Sequence, residues 1–329
     1  MARTGIPETV LIAPDSFKGT FSATEVADAI AAGLTAAGRA VDLCPVADGG
    51  EGTVDALLAA RAGELVTVEV ADPLGRLLTA SFALLDGGET AVVETAAASG
   101  LSLVAPGERD PVTASTRGTG ELIAAAVDAG ARTVLVGAGG SATTDGGAGA
   151  IAGLHAGLRG AKLVVLCDVR TPFEDAARVF GPQKGADPEA VKRLSRRLRD
   201  QAGRLQKDPR GVPMSGAAGG LAGGLWAAFG AELVPGAAYV LDALGFDARM
   251  RAARAVVTGE GRLDLQSLSG KAVSEVATRA RQAGVPCHAV VGSRTLDTFG
   301  ARVLDLQAIL EVSTLAEIEA AGRELDSLM

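Results

Sequence analysis

The sequence predicts an α/β protein, and three observations carry that reading. Short runs rich in Val, Leu and Ile alternate with longer Ala/Leu-rich segments of helical period, the pattern of parallel strands joined by crossover helices. Polar, glycine-rich stretches follow the apolar runs, where an open parallel sheet gathers its loops and the positive ends of its helices. Residues 64–95 break the alternation, which suggests that the chain leaves one sheet and starts another.

Strands are expected at Val10 to Ala13, Val41 to Pro45, Thr133 to Gly137, Lys162 to Cys167, Ala255 to Thr258, Cys287 to Val291 and Leu306 to Glu311. Helices should begin near Ser22, Gly52, Thr119, Gly147, Pro188, Leu221, Lys271 and Leu315. Ser22 with Glu25 forms a capping-box signature, and Thr119 precedes the apolar face of ELIAAAVDAG. Between Glu64 and Thr95, the turn signals Asp72-Pro73-Leu74-Gly75 and Asp86-Gly87-Gly88 divide three strands of an antiparallel meander.

The chain has 329 residues, 48% of them hydrophobic, enough for two domains and a large core. A formal charge of -8 and a pI near 5.0 argue against nucleic acid or an anionic membrane as partner. The basic run KRLSRRLR at 192–199 reads as the solvated face of a helix whose Val191, Leu194 and Leu198 turn inward. Cys44, Cys167 and Cys287 are far apart and form no CxxC, which fits a reducing cytoplasm. The apolar run before Pro14 and Asp15 is too short for a signal sequence, and Gly211 to Ala231 is too glycine-rich for a membrane span. It reads as a loop leading into a helix that holds Trp226 and Phe229. No oligomeric partner is specified by the sequence.

Five loops at strand ends carry the unusual residues. They are Pro14-Asp-Ser-Phe-Lys-Gly-Thr20, Ala47-Asp-Gly-Gly-Glu-Gly-Thr53, GGSATTDGG at 139–147, Cys167-Asp168-Val169, and Thr258-Gly-Glu-Gly-Arg-Leu-Asp264. Together they contribute Asp15, Asp48, Glu51, Asp145, Asp168, Glu260 and Asp264, with Lys18 as a cation among them. Singly, each is as well explained as a turn or cap residue. Collectively, acids on one rim would repel one another unless a metal, a lysine or a phosphate counter-ion used them. Carboxylates without His or Cys favour a hard ion such as Mg²⁺, whose usual task is to carry nucleotide phosphates. Gly139 and Gly140 would then form a bare cradle, Ser141, Thr143 and Thr144 would offer hydroxyls, and Asp145 would face metal or substrate.

GAGGSA at 137–142 fits a loose dinucleotide pattern but lacks the ribose-binding acid, and no Walker A sequence occurs. His155, within an expected helix, and His288, in an apolar strand, read as packing residues, which leaves acid–base work to carboxylates or lysine.

The blocks APDSFKGTFSATEVADAI, VADGGEGTVDAL, STRGTGELI, GGSATTDGGAGA, FGPQKGAD, GAAGGLAGGL and VTGEGRLDLQSLSGK together resemble the bacterial glycerate kinase family, of the glycerate 2-kinase type, in order from about residue 10 to about residue 292. The resemblance implies two α/β domains, a flavodoxin-like domain at 65–264 inserted into an outer domain made from 1–64 and 265–329, with the active-site cleft between them. It implies ATP-dependent, Mg²⁺-assisted phosphorylation of D-glycerate to 2-phosphoglycerate, with 3-phosphoglycerate as the alternative product. The segment between GGAGA and the Cys167 strand is shorter than in relatives, and Thr171 stands where relatives have asparagine.

On this reading Asp15, Lys18, Asp48 and Asp145 are the catalytic candidates, Asp48 and Asp15 as proton acceptors. Ser16, Glu51, Arg117 and Ser141 would bind substrate, while Gly139, Gly140, Thr143, Thr144 and Glu260 would bind ATP. Asp145 and Asp168 would hold the metal. A hydroxy-acid dehydrogenase using the GAGGSA turn and a non-catalytic sensor of small acids are the competing readings.

Overall fold

The computed structural model describes residues 8–268 and 270–329. The first seven residues of the expected outer domain therefore lie outside the described residues. In chain order the strands are β1 (Val10–Pro14), β2 (Val41–Leu43), β3 (Gly63–Ala71), β4 (Leu77–Leu85), β5 (Thr90–Glu94), β6 (Thr133–Gly137), β7 (Lys162–Cys167), β8 (Glu232–Pro235), β9 (Ala255–Glu260), β10 (Cys287–Val291) and β11 (Leu306–Glu311). They form two sheets, so the protein is α/β with two α/β units, as the sequence predicts.

One unit is discontinuous, Met1–Asp48 with Ala237–Met329; the other, inserted into it along the chain, is Gly49–Gly236. The discontinuous unit contains the sheet β11-β10-β9-β1-β2, parallel throughout. Numbered by that unit's own strands, the order is 2-1-3-4-5, the flavodoxin-like arrangement. Val10, Ile12, Val257 and Val290 on the strands pack against Val26, Ile30 and Leu34 of the helix Ala23–Ala36 and Ile318 and Leu325 of Leu315–Asp326. Ser22 and Glu25 make the reciprocal capping box. At Gly33 an added Cβ would lie 2.1 Å from the Glu319 carbonyl oxygen, so those two helices meet backbone to backbone.

The inserted unit has its six strands in sequential order, β3-β4-β5-β6-β7-β8. β3, β4 and β5 form the expected antiparallel meander, with Ala71 opposite Leu77 across the first turn; β5 to β8 run parallel. Phe82, Val93, Val136 and Val165 pack beneath Leu122 and Ile123 of the helix Arg117–Asp128 and Leu221 and Leu225 of Leu221–Phe229.

Several expectations shift. The unit boundaries fall at 48/49 and 236/237 rather than 64/65 and 264/265. β9 cannot belong to the insert, because its Ala255 pairs with Val10 of β1 and its Val256 with Cys287 of β10. The flavodoxin-like order accordingly belongs to the discontinuous unit. The helix expected near Thr119 starts at Arg117, and His155 lies in the turn after the helix Ala148–Gly153. Four-residue β8, closed by a proline, is too short to show a period.

Candidate active-site residues

In a 2-1-3-4-5 sheet the first and third strands flank the switch point, and ligands bind outside its carboxyl edge. Here those strands are β1 and β9, in register from Val10 with Ala255 to Pro14 with Gly259. Beyond them the Asp15 amide donates to the Gly259 carbonyl at 2.8 Å, fixing the two loops against each other. A cavity of about 390 Å³ opens there, lined by Asp15, Ser16, Lys18, Glu260, Arg262 and Lys271.

Its charges are arranged in opposition. The Asp15 side chain is 4% exposed and accepts a hydrogen bond from the Ser16 amide at 2.7 Å. Burial, reinforced by the nearby Asp48 and Glu260 carboxylates, pushes the Asp15 carboxyl well above its ordinary range; Lys18 and the Ser16 amide oppose this. Asp48 is buried and paired to Lys18 at 3.2 Å. Glu260 is buried and accepts from Lys271 at 3.4 Å; burial raises its carboxyl also, with Lys271 opposing. Asp48 and Glu260 face Lys18 and Lys271, and Arg262 pairs with Asp264 at 3.4 Å, so each cation of the cavity stands against a carboxylate.

In the inserted unit the loop after β6 is bare for reasons of packing. An added Cβ on Gly139 would lie 2.7 Å from the Gly50 Cα, and Gly140 sits at φ +66°, a left-handed conformation that favours glycine. The Gly140 carbonyl accepts from the Leu101 amide at 2.8 Å. Asp145, expected as catalytic residue and metal ligand, is instead committed inside the loop. Its Oδ1 accepts from the Gly147 amide at 3.0 Å and its Oδ2 from the Thr116 and Gly149 amides at 2.9 and 3.0 Å. The Thr116 hydroxyl donates to Oδ2 as well, at 2.8 Å. The carboxylate therefore ties the start of one helix to the start of another, and few of its lone pairs remain for a metal.

A second cavity of about 260 Å³ opens beside this loop, lined among others by Gly139, Gly140, Ser141, Asp168, Gln183 and Lys184. Lys184 is only 3% exposed; its Nζ donates to the Ser141 hydroxyl at 2.8 Å and to the Thr143 carbonyl at 2.5 Å. Burial pushes its ammonium down to about 7, and the charge of Asp145 offsets only part of that. The Thr143 and Thr144 hydroxyls are buried and have no hydrogen-bond partner among the described residues.

The expected site residues thus fall into two groups. Asp15, Ser16, Lys18, Asp48 and Glu260 gather in the discontinuous unit; Gly139, Gly140, Ser141 and Asp168 line the cavity of the inserted one. Glu51 is exposed, near the half-buried Glu94, whose carboxyl is pushed up to about 7 by desolvation, with Asp55 and Glu51 adding to the effect. Arg117 lines neither cavity: it is 62% exposed and paired along its own helix with Glu121 at 2.8 Å. Lys184, Lys271 and Arg262 are not among the residues that the sequence singles out as site candidates. The signal for Lys184 was that it is the sole charge between Arg178 and Asp187, inside an otherwise uncharged turn.

Among the described residues no three His, Cys, Asp or Glu side chains converge to hold a metal ion. Mg²⁺ that arrives on nucleotide phosphates needs only one or two protein carboxylates and keeps several waters. Asp168, half-buried on the wall of the second cavity, fits that smaller demand.

Comparison with known proteins agrees with the resemblance. The model of the glycerate kinase family matches residues 10–160 and 150–324. A Bacillus subtilis protein named glycerate kinase is 40% identical over 88% of this chain and 86% of its own length. An Escherichia coli protein named glycerate 2-kinase is 39% identical over 93% of this chain and 90% of its own. A solved structure from Salmonella typhimurium LT2, described as a glycerate kinase 2, superposes with a TM-score of 0.82 at 36% identity, covering 98% of both chains. The chain belongs to the glycerate kinase family, whose name denotes phosphotransferases with an alcohol group as acceptor.

Proposed function

We propose that this protein transfers the γ-phosphoryl group of ATP to the 2-hydroxyl of D-glycerate, giving 2-phosphoglycerate and ADP. Membership of the glycerate kinase family over nearly the whole chain is the observation that carries the reading. The name of the Escherichia coli relative supports the 2-position.

The proton acceptor must lie within hydrogen-bond reach of the attacking hydroxyl, so the acid at the switch point locates glycerate. Glycerate occupies the Asp15 cavity, its carboxylate drawn by Lys18, Lys271 and Arg262. Asp15 takes the hydroxyl proton as the O–P bond to glycerate forms and the bond from the γ-phosphorus to the β-phosphate oxygen breaks. Its raised proton affinity makes its ionised form a stronger base than an ordinary carboxylate. Lys18 holds Asp48 as a fixed counter-charge beside it. Asp168 would hold the Mg²⁺ that comes with ATP, and that ion would supply neutralisation of charge on the phosphates. The Gly139–Thr144 loop belongs with the nucleotide. A cytoplasmic setting is supported by the three free cysteines, all buried; no described helix is long and apolar enough to cross a membrane.

The test is ADP formation by the purified protein with ATP, Mg²⁺ and D-glycerate, with the product read by phosphorus NMR. A phosphate on the 2-oxygen couples to a single proton and one on the 3-oxygen to a pair. ATP consumption that does not depend on glycerate would reject the reading; a primary phosphate ester would reject the position.

A further inference from the structure

We propose that Lys184 is a catalytic residue, the cation that binds phosphoryl oxygens of the nucleotide in the cavity beside the Gly139–Thr144 loop. The inference rests on the kinase reading and adds to it a residue in the turn Pro182–Lys184 of the inserted unit.

A lysine at 3% exposure is costly unless something compensates its charge. No carboxylate does so directly: its two acceptors are the Ser141 hydroxyl and the Thr143 carbonyl, both neutral. An ammonium group has three N–H donors, and two are placed by these bonds. The third is left for a group in the cavity that Lys184 lines together with Gly140, Ser141 and Asp168. Both acceptors come from the loop after β6, while the lysine comes from the turn Pro182–Lys184, closed by Gly185 at φ +97°. The Lys184 nitrogen is thus held in place by two separate stretches of chain before any ligand arrives.

The size of the cavity points to the class of ligand. At about 260 Å³ it is smaller than the roughly 300–1,000 Å³ of pockets that enclose whole drug-sized molecules. Phosphoryl groups fit within it, and base and ribose lie outside. A compact ammonium matches phosphate as a point charge. The charged groups around Lys184 are Asp145 in the loop, Asp168 on the cavity wall and Arg109, whose backbone and Cβ pack on Gly185. Of these, Asp145 is already engaged by Thr116, Gly147 and Gly149.

A phosphate anion that settles on Lys184 makes the charged form favourable again, so binding draws a proton from solution. The experiment measures calorimetric binding of MgADP, and of pyrophosphate as a base-free probe, at a pH near 8 in buffers of different ionisation enthalpy. Wild type is expected to take up more protons per ligand than Lys184→Met, the difference reporting the charging of Lys184 because the ligand's own ionisation is common to both. In steady-state assays Lys184→Met should lower turnover about a hundredfold or more, with the KM for glycerate little changed. Ser141→Ala, which removes one anchor and keeps the ammonium, should show a smaller loss and retain proton uptake. MgADP and pyrophosphate affinities unchanged by Lys184→Met overturn the proposal, as does a Lys184→Met enzyme with ordinary turnover. Failure of wild type to phosphorylate glycerate would instead retire the kinase reading, and the binding measurement would still decide the role of Lys184.

Discussion

The two cavities solve opposite electrostatic problems with the same physical means. In the discontinuous unit, burial holds an acid, Asp15, toward its neutral form among other acids and lysines. In the inserted unit, burial holds a base, Lys184, toward its neutral form with no acid in contact. A desolvated acid at a switch point is suited to receiving a proton, and a desolvated lysine beside a glycine loop to receiving an anion. The difference teaches that burial displaces an acid and a base in opposite directions, each toward its neutral form, at the strand ends of two sheets of different topology.

The comparison breaks most visibly at Asp15. Asp15→Asn keeps the shape of the side chain and removes the proton acceptor, so turnover should fall by roughly a hundred- to ten-thousandfold. Steady-state rates across the pH range sharpen the point: the acid limb of the wild-type profile should lie above the ordinary carboxylate range, because the proton on Asp15 must leave first. Lys18→Ala should raise the KM for glycerate and lower turnover by about a hundredfold, since it removes a cavity cation and releases Asp48 from its pairing.

Stability against pH should separate the cavities by sign. Between the ordinary range of Asp and the raised value of Asp15, the folded chain keeps a proton that the unfolded chain has released; this contribution makes stability fall as pH rises. Between about 7 and 10.5 the folded chain has released the Lys184 proton while the unfolded chain keeps it, so this contribution makes stability rise with pH. Denaturant melts of Asp15→Asn and Lys184→Met at several pH values should each remove one slope and leave the other.

Asp145→Asn belongs to neither effect. Because Asp145 joins two helix starts, the variant should lose about 1–3 kcal/mol of stability in urea melts. Turnover that drops with stability intact would restore Asp145 to the catalytic list. The smallest effect is expected at Arg117, which lines neither cavity and makes a surface pair; Arg117→Ala should leave the KM for glycerate unchanged.

Most strands were legible in the sequence, because buried parallel strands are short apolar runs and their glycine-rich ends are visible as punctuation. The meander at 63–94 could be read from its turns alone. What remained hidden depends on long-range pairing. Nothing in the composition of Ala255–Glu260 says that it pairs with β1, more than two hundred positions earlier, so the return to the first sheet was set too late. The acids after β1 and β9 were legible as a group because they share a local context of loop and glycine. Lys184 is harder to find, because its significance lies in being buried against Ser141, and its one local signature is that it stands as the sole charge between Arg178 and Asp187. The pattern GGSATTDGG suggests a phosphate cradle; its glycines at 139 and 140 are also demanded by the approach of Gly50 and by a left-handed turn.

The division of labour between the cavities is tested most directly by resolving the kinetic defects of two variants by substrate. The account predicts that Lys18→Ala weakens saturation by glycerate while leaving that by MgATP nearly intact, and that the defect of Lys184→Met falls on MgATP and on turnover. Defects that fall equally on both substrates, or that exchange places, would contradict it.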